Sequence, residues 1–214
     1  MAGAETSDDE GESRRDGDGR TARRERNREA VVTALLDLYR EGVLAPSADD
    51  IAARAGVSAR SLFRYFADVG DLASEAVARQ QEHLAPLLKL DLDAEAPLDE
   101  RIDAFVTARI RLLTAMGEVG RVARFRSFQQ PIVAKGLTRV RQVLRDQVVV
   151  VLGPALADRP DDERQALLAA ADVICSWEAH DLMLHDQGLD PDAARAAMAL
   201  ALRRLLADVA HPAR

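Results

Sequence analysis

Between Ser47 and Phe66 the sequence SADDIAARAGVSARSLFRYF sets hydrogen-bond donors and flat apolar side chains at a spacing suited to reading another molecule's edges. As a helix from Ala59, the segment presents Ala59, Arg60, Ser61, Phe63, Arg64 and Tyr65 outward, with Leu62 and Phe66 directed to the core. Arginine can bond guanine through two donors, and guanidinium and hydroxyl groups bond phosphate oxygens. Phe63 and Tyr65 suit contacts with a nucleic-acid backbone or a thymine methyl. Arg60 is the best base-reading candidate, with a purely phosphate-binding or solvated role still open; Arg64 also suits a bracing role. Just upstream, the run RTARRERNR from Arg20 to Arg28, with Arg23 and Arg24 at its centre, is placed to follow a phosphate backbone or enter a minor groove.

These side chains need a scaffold, and the spacing predicts one. A first helix runs from Thr21 to Arg40 on the apolar stripe Val31, Val32, Leu35, Leu38 and Tyr39, ending at Gly42. A short second helix follows Pro46, with Ser47 as cap and Asp50 three residues on completing a capping-box pair. It stops at Gly56, which can adopt the positive φ of a tight turn, and Ser58 caps a third helix to Phe66. Ala52 leaves room for two helices to cross steeply, over a plug of Ile51, Val57 and Leu62. This is a helix-turn-helix, whose second helix enters a DNA major groove; two short helices on a glycine turn also occur in ordinary helical cores.

Charge supports the nucleic-acid reading once it is divided along the chain. The 214 residues carry a formal net charge of −7, which argues against a uniformly basic protein that coats nucleic acid. Residues 1–20 contribute −4, residues 21–66 contribute +2, and the rest contributes −5. The basic segment therefore coincides with the motif. Residues 1–19 have no apolar anchor and are expected to be a disordered acidic tail. The single cysteine, Cys175, rules out a disulfide framework and fits a reducing, cytoplasmic setting. No apolar stretch nears the length of a membrane span, and the N-terminus lacks the apolar segment of a signal peptide.

The segment from Ile51 to Phe66, followed by Asp71-Leu72, resembles the tetracycline-repressor (TetR) family of bacterial regulators, whose DNA-binding part follows I-A-x-x-A-G-V-S-x-x-T-L-Y-R-H/Y-F. The resemblance implies an all-α fold of about nine helices. Residues 20–68 would form a three-helix DNA-binding domain with a basic arm, and 69–214 a ligand-binding and dimerisation domain. It implies a homodimer that reads a palindromic operator in double-stranded DNA, more often as repressor than activator, and is released by a small-molecule effector. By position, Ala59, Arg60 and Ser61 begin the reading face, Phe63 and Tyr65 touch phosphate or a base, and Ser47 and Ser58 stand at helix starts. Three positions depart from the pattern: Ser61 replaces the usual threonine and keeps its hydroxyl, while Phe63 replaces the usual tyrosine and Val69 a frequent lysine, and neither of these two can donate to phosphate. The expected compensation is the arginine run; the alternative is a regulator-shaped protein acting mainly through protein partners.

Beyond Val69, prolines at 97, 131, 160 and 191 suit the first turns of new helices, predicting 98–116, 118–129, 131–152, 160–187 and 191–208 after a fourth helix over 69–89. Polar residues interrupting apolar faces mark a candidate ligand site of Phe105, Arg109, Leu113, Phe125, Arg126, Phe128, Gln129, Trp177, His180 and Leu184. Arg109 and Arg126 suit an acidic or carbonyl-bearing ligand, or equally a surface acid; Trp177 equally suits plain core packing. The last two helices, apolar on two faces and rich in alanine, suggest a four-helix dimer seam through Leu168, Ala171, Cys175, Leu182, Ala197, Ala201 and Leu205. A buried hairpin within one chain is the simpler reading of the same pattern.

Enzymatic readings find little support. His180 and His185 with Glu178, Asp181 and Asp186 have weak metal-ligand spacing and read as a solvated helix face, so no metal is expected. Cys175 reads as a buried apolar residue. No phosphate loop, nucleophile elbow or dinucleotide fingerprint is present, and no cofactor is expected.

Overall fold

The computed structural model describes the backbone of residues 9–93 and 95–207, with side chains from Thr21 onward. Among the described residues there are nine α-helices and no strand. They are α1 (Asp9–Arg40), α2 (Ala48–Ala55), α3 (Ala59–Tyr65), α4 (Val69–Leu84), α5 (Leu98–Ser127), α6 (Pro131–Leu152), α7 (Asp161–Ile174), α8 (Trp177–His185) and α9 (Pro191–Ala207). Short 3-10 turns follow α4 (Ala85–Leu88) and α6 (Gly153–Leu156). No described helix is long and apolar enough to cross a membrane.

The chain divides into two compact units, Met1–Ala78 and Arg79–Arg214. The division falls inside α4, in whose first turns Leu72, Ala73 and Ala76 are buried. In that unit α1, α2 and α3 pack on one another, burying Val31, Val32, Leu35, Leu38, Ile51, Ala52, Leu62 and Phe66. Each large apolar side chain so buried contributes about 1.5–3 kcal/mol.

The first helix is longer than the sequence predicts. Backbone over 9–19, expected to be disordered, is helical and continuous with α1, while residues 1–8 of that tail lie outside the described residues. Extending a formed helix avoids the cost of nucleation. The arginine run, from Arg20 to Arg28, lies inside this continuous helix.

In the second unit α5 is the central element, packing against α6, α8 and α9. Its stripe of Ile102, Phe105, Val106, Ile110, Leu113 and Met116 joins Leu144, Val148, Val151, Ala171, Cys175, Trp177, Met198 and Leu202 in one core. The two helices predicted over 98–116 and 118–129 are the two halves of α5, which breaks at Gly117, whose φ of 41° and ψ of −139° only glycine adopts readily. The helix predicted over 160–187 is instead two. Cys175 leaves helical geometry, and the Ser176 side chain accepts a hydrogen bond from the Ala179 N–H, starting α8 anew. The fourth helix tightens into its 3-10 turn after Leu84, ahead of the predicted end at residue 89.

Candidate functional site

The turn that sets the recognition helix is built by local rules. The Ser47 side chain accepts from the Asp50 N–H at 3.1 Å, while Asp50 Oδ2 accepts from the Ser47 N–H at 2.9 Å and from its hydroxyl at 2.6 Å. Those bonds from Ser47 hold the Asp50 carboxyl below its ordinary range. Gly56 closes α2 at φ 67°, its N–H directed to the carbonyls of Ala52 and Ala53. Ser58 then caps α3, accepting from the Ser61 N–H at 3.2 Å and donating its hydroxyl to Ser61 Oγ at 3.0 Å. Such caps contribute about 0.5–2 kcal/mol each. Arg54 grips Glu41 through two bonds of 2.8 Å, fixing α2 to the turn after α1.

On α3, Arg60 and Arg64 are exposed, Phe63 is 53% exposed, and Ala59 and Ser61 are half-buried. Arg60 makes no hydrogen bond or ion pair among the described residues, so its donors are free for a ligand. Val69, at the start of α4, is exposed like Phe63. Arg23 and Arg24 are exposed along α1.

Tyr65 does not share the outward face on which the helical projection places it. It is 7% exposed, and its hydroxyl accepts from Asn27 Nδ2 at 2.9 Å and from Arg64 at 3.3 Å. The bond from Asn27, then that from Arg64, lowers the phenol's pKa. The α3 helix ends at Tyr65, and its last turn tucks under α1, where Arg28 lies 5.1 Å above the Phe66 ring and pairs with Glu75. Asn27, Arg28 and Glu75 form a bracing set that sequence reasoning missed; pairs 38 residues apart leave no local signal.

In the second unit the candidate ligand residues differ in exposure. Phe105, Arg109, Leu113, Trp177 and His180 are buried, and Leu184 is half-buried. Phe125, Phe128 and Gln129 are exposed, Phe128 at 92%. Phe125 lies in the part of α5 after the break at Gly117, and Phe128 lies beyond the helix end. Arg126 is half-buried, its Nε without a partner among the described residues.

Arg109 is 1% exposed and lies 4.9 Å from the centroid of Phe105. It donates to the carbonyls of Cys175 at 3.1 Å and Leu144 at 2.9 Å, and to Gln147 Oε1 at 3.1 Å. Burial lowers its pKa, yet a guanidinium stays charged in proteins. Nearby, Arg124 stacks 3.9 Å from the Trp177 ring and, with Arg141, pairs with Glu178. Arg121 pairs with Asp181, which also meets His185. These carboxylates are thus held by arginines, and no group of three metal-ligating side chains occurs among the described residues.

Of the candidate seam residues, Ala171 and Cys175 are fully buried within one chain and offer no surface to a second. The two-faced helix expected there is interrupted at Cys175, so its inner face closes on α5. Leu182 is exposed, and Leu168, Ala197, Ala201 and Leu205 are half-buried. The large exposed apolar side chains on α7 and α9 are Val173 and Leu200.

Residues 34–76 match the family model described as bacterial regulatory proteins, tetR family. No curated protein matches the chain by sequence. Among solved structures, a tetR-family transcriptional regulator from Streptomyces coelicolor is similar at 20% identity and a TM-score of 0.66, over 87% of this chain and 82% of that one. A transcriptional regulator from Rhodococcus sp. Rha1 is similar at 18% identity and a TM-score of 0.64, over 84% of this chain and 96% of that one. The multidrug binding protein EbrR, complexed with imidazole, is similar at 22% identity and a TM-score of 0.53, over 86% and 94%. All three share the fold.

Proposed function

From the premise that the chain belongs to the tetR family of bacterial regulatory proteins and is a transcriptional regulator with a DNA-binding domain, we propose that it is a homodimeric repressor released from a palindromic operator by a small-molecule effector. Members of this family are DNA-binding regulators and not enzymes. The observation that carries the proposal is the face of α3: an exposed Arg60 with unengaged donors, beside Ser61, Phe63 and Arg64, on a helix capped at Ser58. Arg60 reads a base, Arg64 and the α1 arginines Arg23 and Arg24 meet phosphate, and Ser47 and Ser58 stand where helix starts favour it. Two such heads enter successive major grooves about 34–36 Å apart. A bacterial regulator of this kind works in the cytoplasm, beside the DNA it reads.

We assign residues 20–68 with the first turns of α4 to DNA binding, and the rest of the chain to effector binding and dimerisation. The seam passes over the outer faces of α7, α8 and α9, where Val173, Leu182 and Leu200 offer apolar surface. Ala197, Ala201 and Leu205 on α9 adjoin it. The effector site centres on the buried group of Phe105, Arg109, Leu113 and Trp177. A gel shift on the gene's own upstream DNA tests the proposal: specific retardation by two chains per site supports it, and binding with no sequence preference opposes it. A second reading, action mainly through protein partners, draws on exposed Phe63 and Val69 where the family pattern has donors; the same loss of preference would favour it.

A further inference from the structure

Arg109 leaves an electrostatic account open. A buried cation is ordinarily matched by a bonded carboxylate, because its desolvation costs several kcal/mol. Here the three acceptors that the guanidinium reaches are neutral, and its Nε–H has no partner among the described residues. The acid that acts on it through space, Asp172, is hydrogen-bonded to Arg145 at 3.1 Å. The neighbouring Cys175 thiol is pushed by burial up to about 12 and supplies no charge. The C-terminal carbonyl end of α7, which Cys175 caps, offers only a partial negative charge.

We propose that the effector is a small apolar carboxylate, that its anionic group pairs with Arg109, and that Gln147 reports its arrival. The inference rests on the reading of this unit as an effector-binding domain. The side chains sharing the core with Arg109 are apolar, among them Phe105, Leu113, Met116, Val148 and Trp177, and suit a hydrocarbon body behind one charged head. Met116 is a flexible thioether directly before the break at Gly117. A carboxylate forms charge-assisted bonds about twice as strong as those of the neutral amide oxygen it displaces. Gln147 is that amide: its Oε1 accepts from Arg109 while its Nε2 donates to the Leu88 carbonyl at 2.6 Å. Release from Arg109 frees the amide to reorient and loosens the hold on Leu88, which ends the 3-10 turn directly following α4 in the chain.

The single tryptophan, Trp177, lies in the same core and gives the readout. Octanoate and benzoate are titrated into the full-length protein by intrinsic fluorescence, beside octanamide and benzamide, with Arg109→Gln and Gln147→Glu in parallel. The expected result is saturable binding of at least one carboxylate, about thirtyfold or more tighter than its amide, and loss of that preference in Arg109→Gln. Gln147→Glu sets a permanent carboxylate beside the guanidinium and removes the preference too, which decides the question should Arg109→Gln not fold. Equal binding of acid and amide, a preference surviving both substitutions, or no response to either carboxylate overturns the inference. A gel shift on the same samples separates the two levels: specific DNA binding without carboxylate preference removes this inference alone, and absence of specific DNA binding removes the reading beneath it.

Discussion

Asn27 on α1 donates its side-chain amide to the Tyr65 hydroxyl, 2.9 Å away at the end of α3. The bond joins the helix carrying the arginine run to the helix carrying the reading face, and Arg64 adds a second donor to the same oxygen. Tyr65 thus positions the reading helix from beneath. Tyr65→Phe removes the shared acceptor and leaves two donors to find water, at a cost of about 0.5–1.5 kcal/mol. The expected outcome is a lower unfolding midpoint with an unchanged salt dependence of DNA affinity. A salt slope reduced by about one, with stability intact, would identify a direct phosphate contact instead.

Arg60 is expected to carry sequence information. Arg60→Ala should cost about 1–3 kcal/mol of affinity for the best site and relax preference at one base pair in each half-site. Competition binding against a set of single-base operator variants measures it. A uniform loss across all variants would make Arg60 a phosphate ligand.

The arginine run on α1 is expected to offset the missing donors at Phe63 and Val69. Deleting residues 1–24 removes the exposed Arg23 and Arg24. Affinity should fall and the dependence of log affinity on log salt should become shallower, by about 0.9 for each phosphate that the shortened helix no longer neutralises. Unchanged affinity with an unchanged slope would sink that assignment.

Gly117 sits at a φ of 41° inside α5. Alanine in an ordinary helical interior gains roughly 0.8–1.0 kcal/mol over glycine. Here the sign reverses, because a Cβ at this backbone geometry costs about 1–3 kcal/mol. Denaturant unfolding of Gly117→Ala should show the loss; a stabilised variant would mean that α5 straightens without penalty.

Glu178 couples the second unit to pH. Burial pushes its carboxyl up, but hydrogen bonds from Arg124 and Arg141 prevail and hold it at about 2, below its ordinary 4.5. A carboxyl depressed in the folded state contributes stability that is complete above about pH 4.5 and lost as pH falls through about 2. Glu178→Gln should flatten the fall in stability over that window. Since Arg124 stacks on Trp177, tryptophan emission follows the transition. An equally steep acid transition in the variant would assign the effect to other carboxylates.

The turn at residues 47–58 is legible because each part obeys a rule a few residues long: Ser47 with Asp50, Gly56 at positive φ, Ser58 ahead of α3. Helical periodicity likewise puts Arg109 in an apolar stripe, and that stripe is buried. What escapes depends on tertiary partners or on breaks hidden in favourable sequence. Nothing near Tyr65 announces Asn27, and the Ser176 cap lies inside an apolar run that reads as unbroken helix. Cys175 and Ala171 look available to a second chain because periodicity shows that a face is apolar, and not which neighbour covers it. Phe125 and Phe128 are exposed for the same reason: an aromatic in the sequence does not show which neighbour, if any, covers it.

The central claim, a dimer that reads a two-fold operator through α3, is tested most directly by footprinting the full-length protein on the DNA upstream of its own gene. The account predicts a protected site with two-fold symmetry and half-site centres about 34–36 Å apart, abolished or relaxed by Arg60→Ala. A footprint without two-fold symmetry, or protection that ignores sequence, would contradict it.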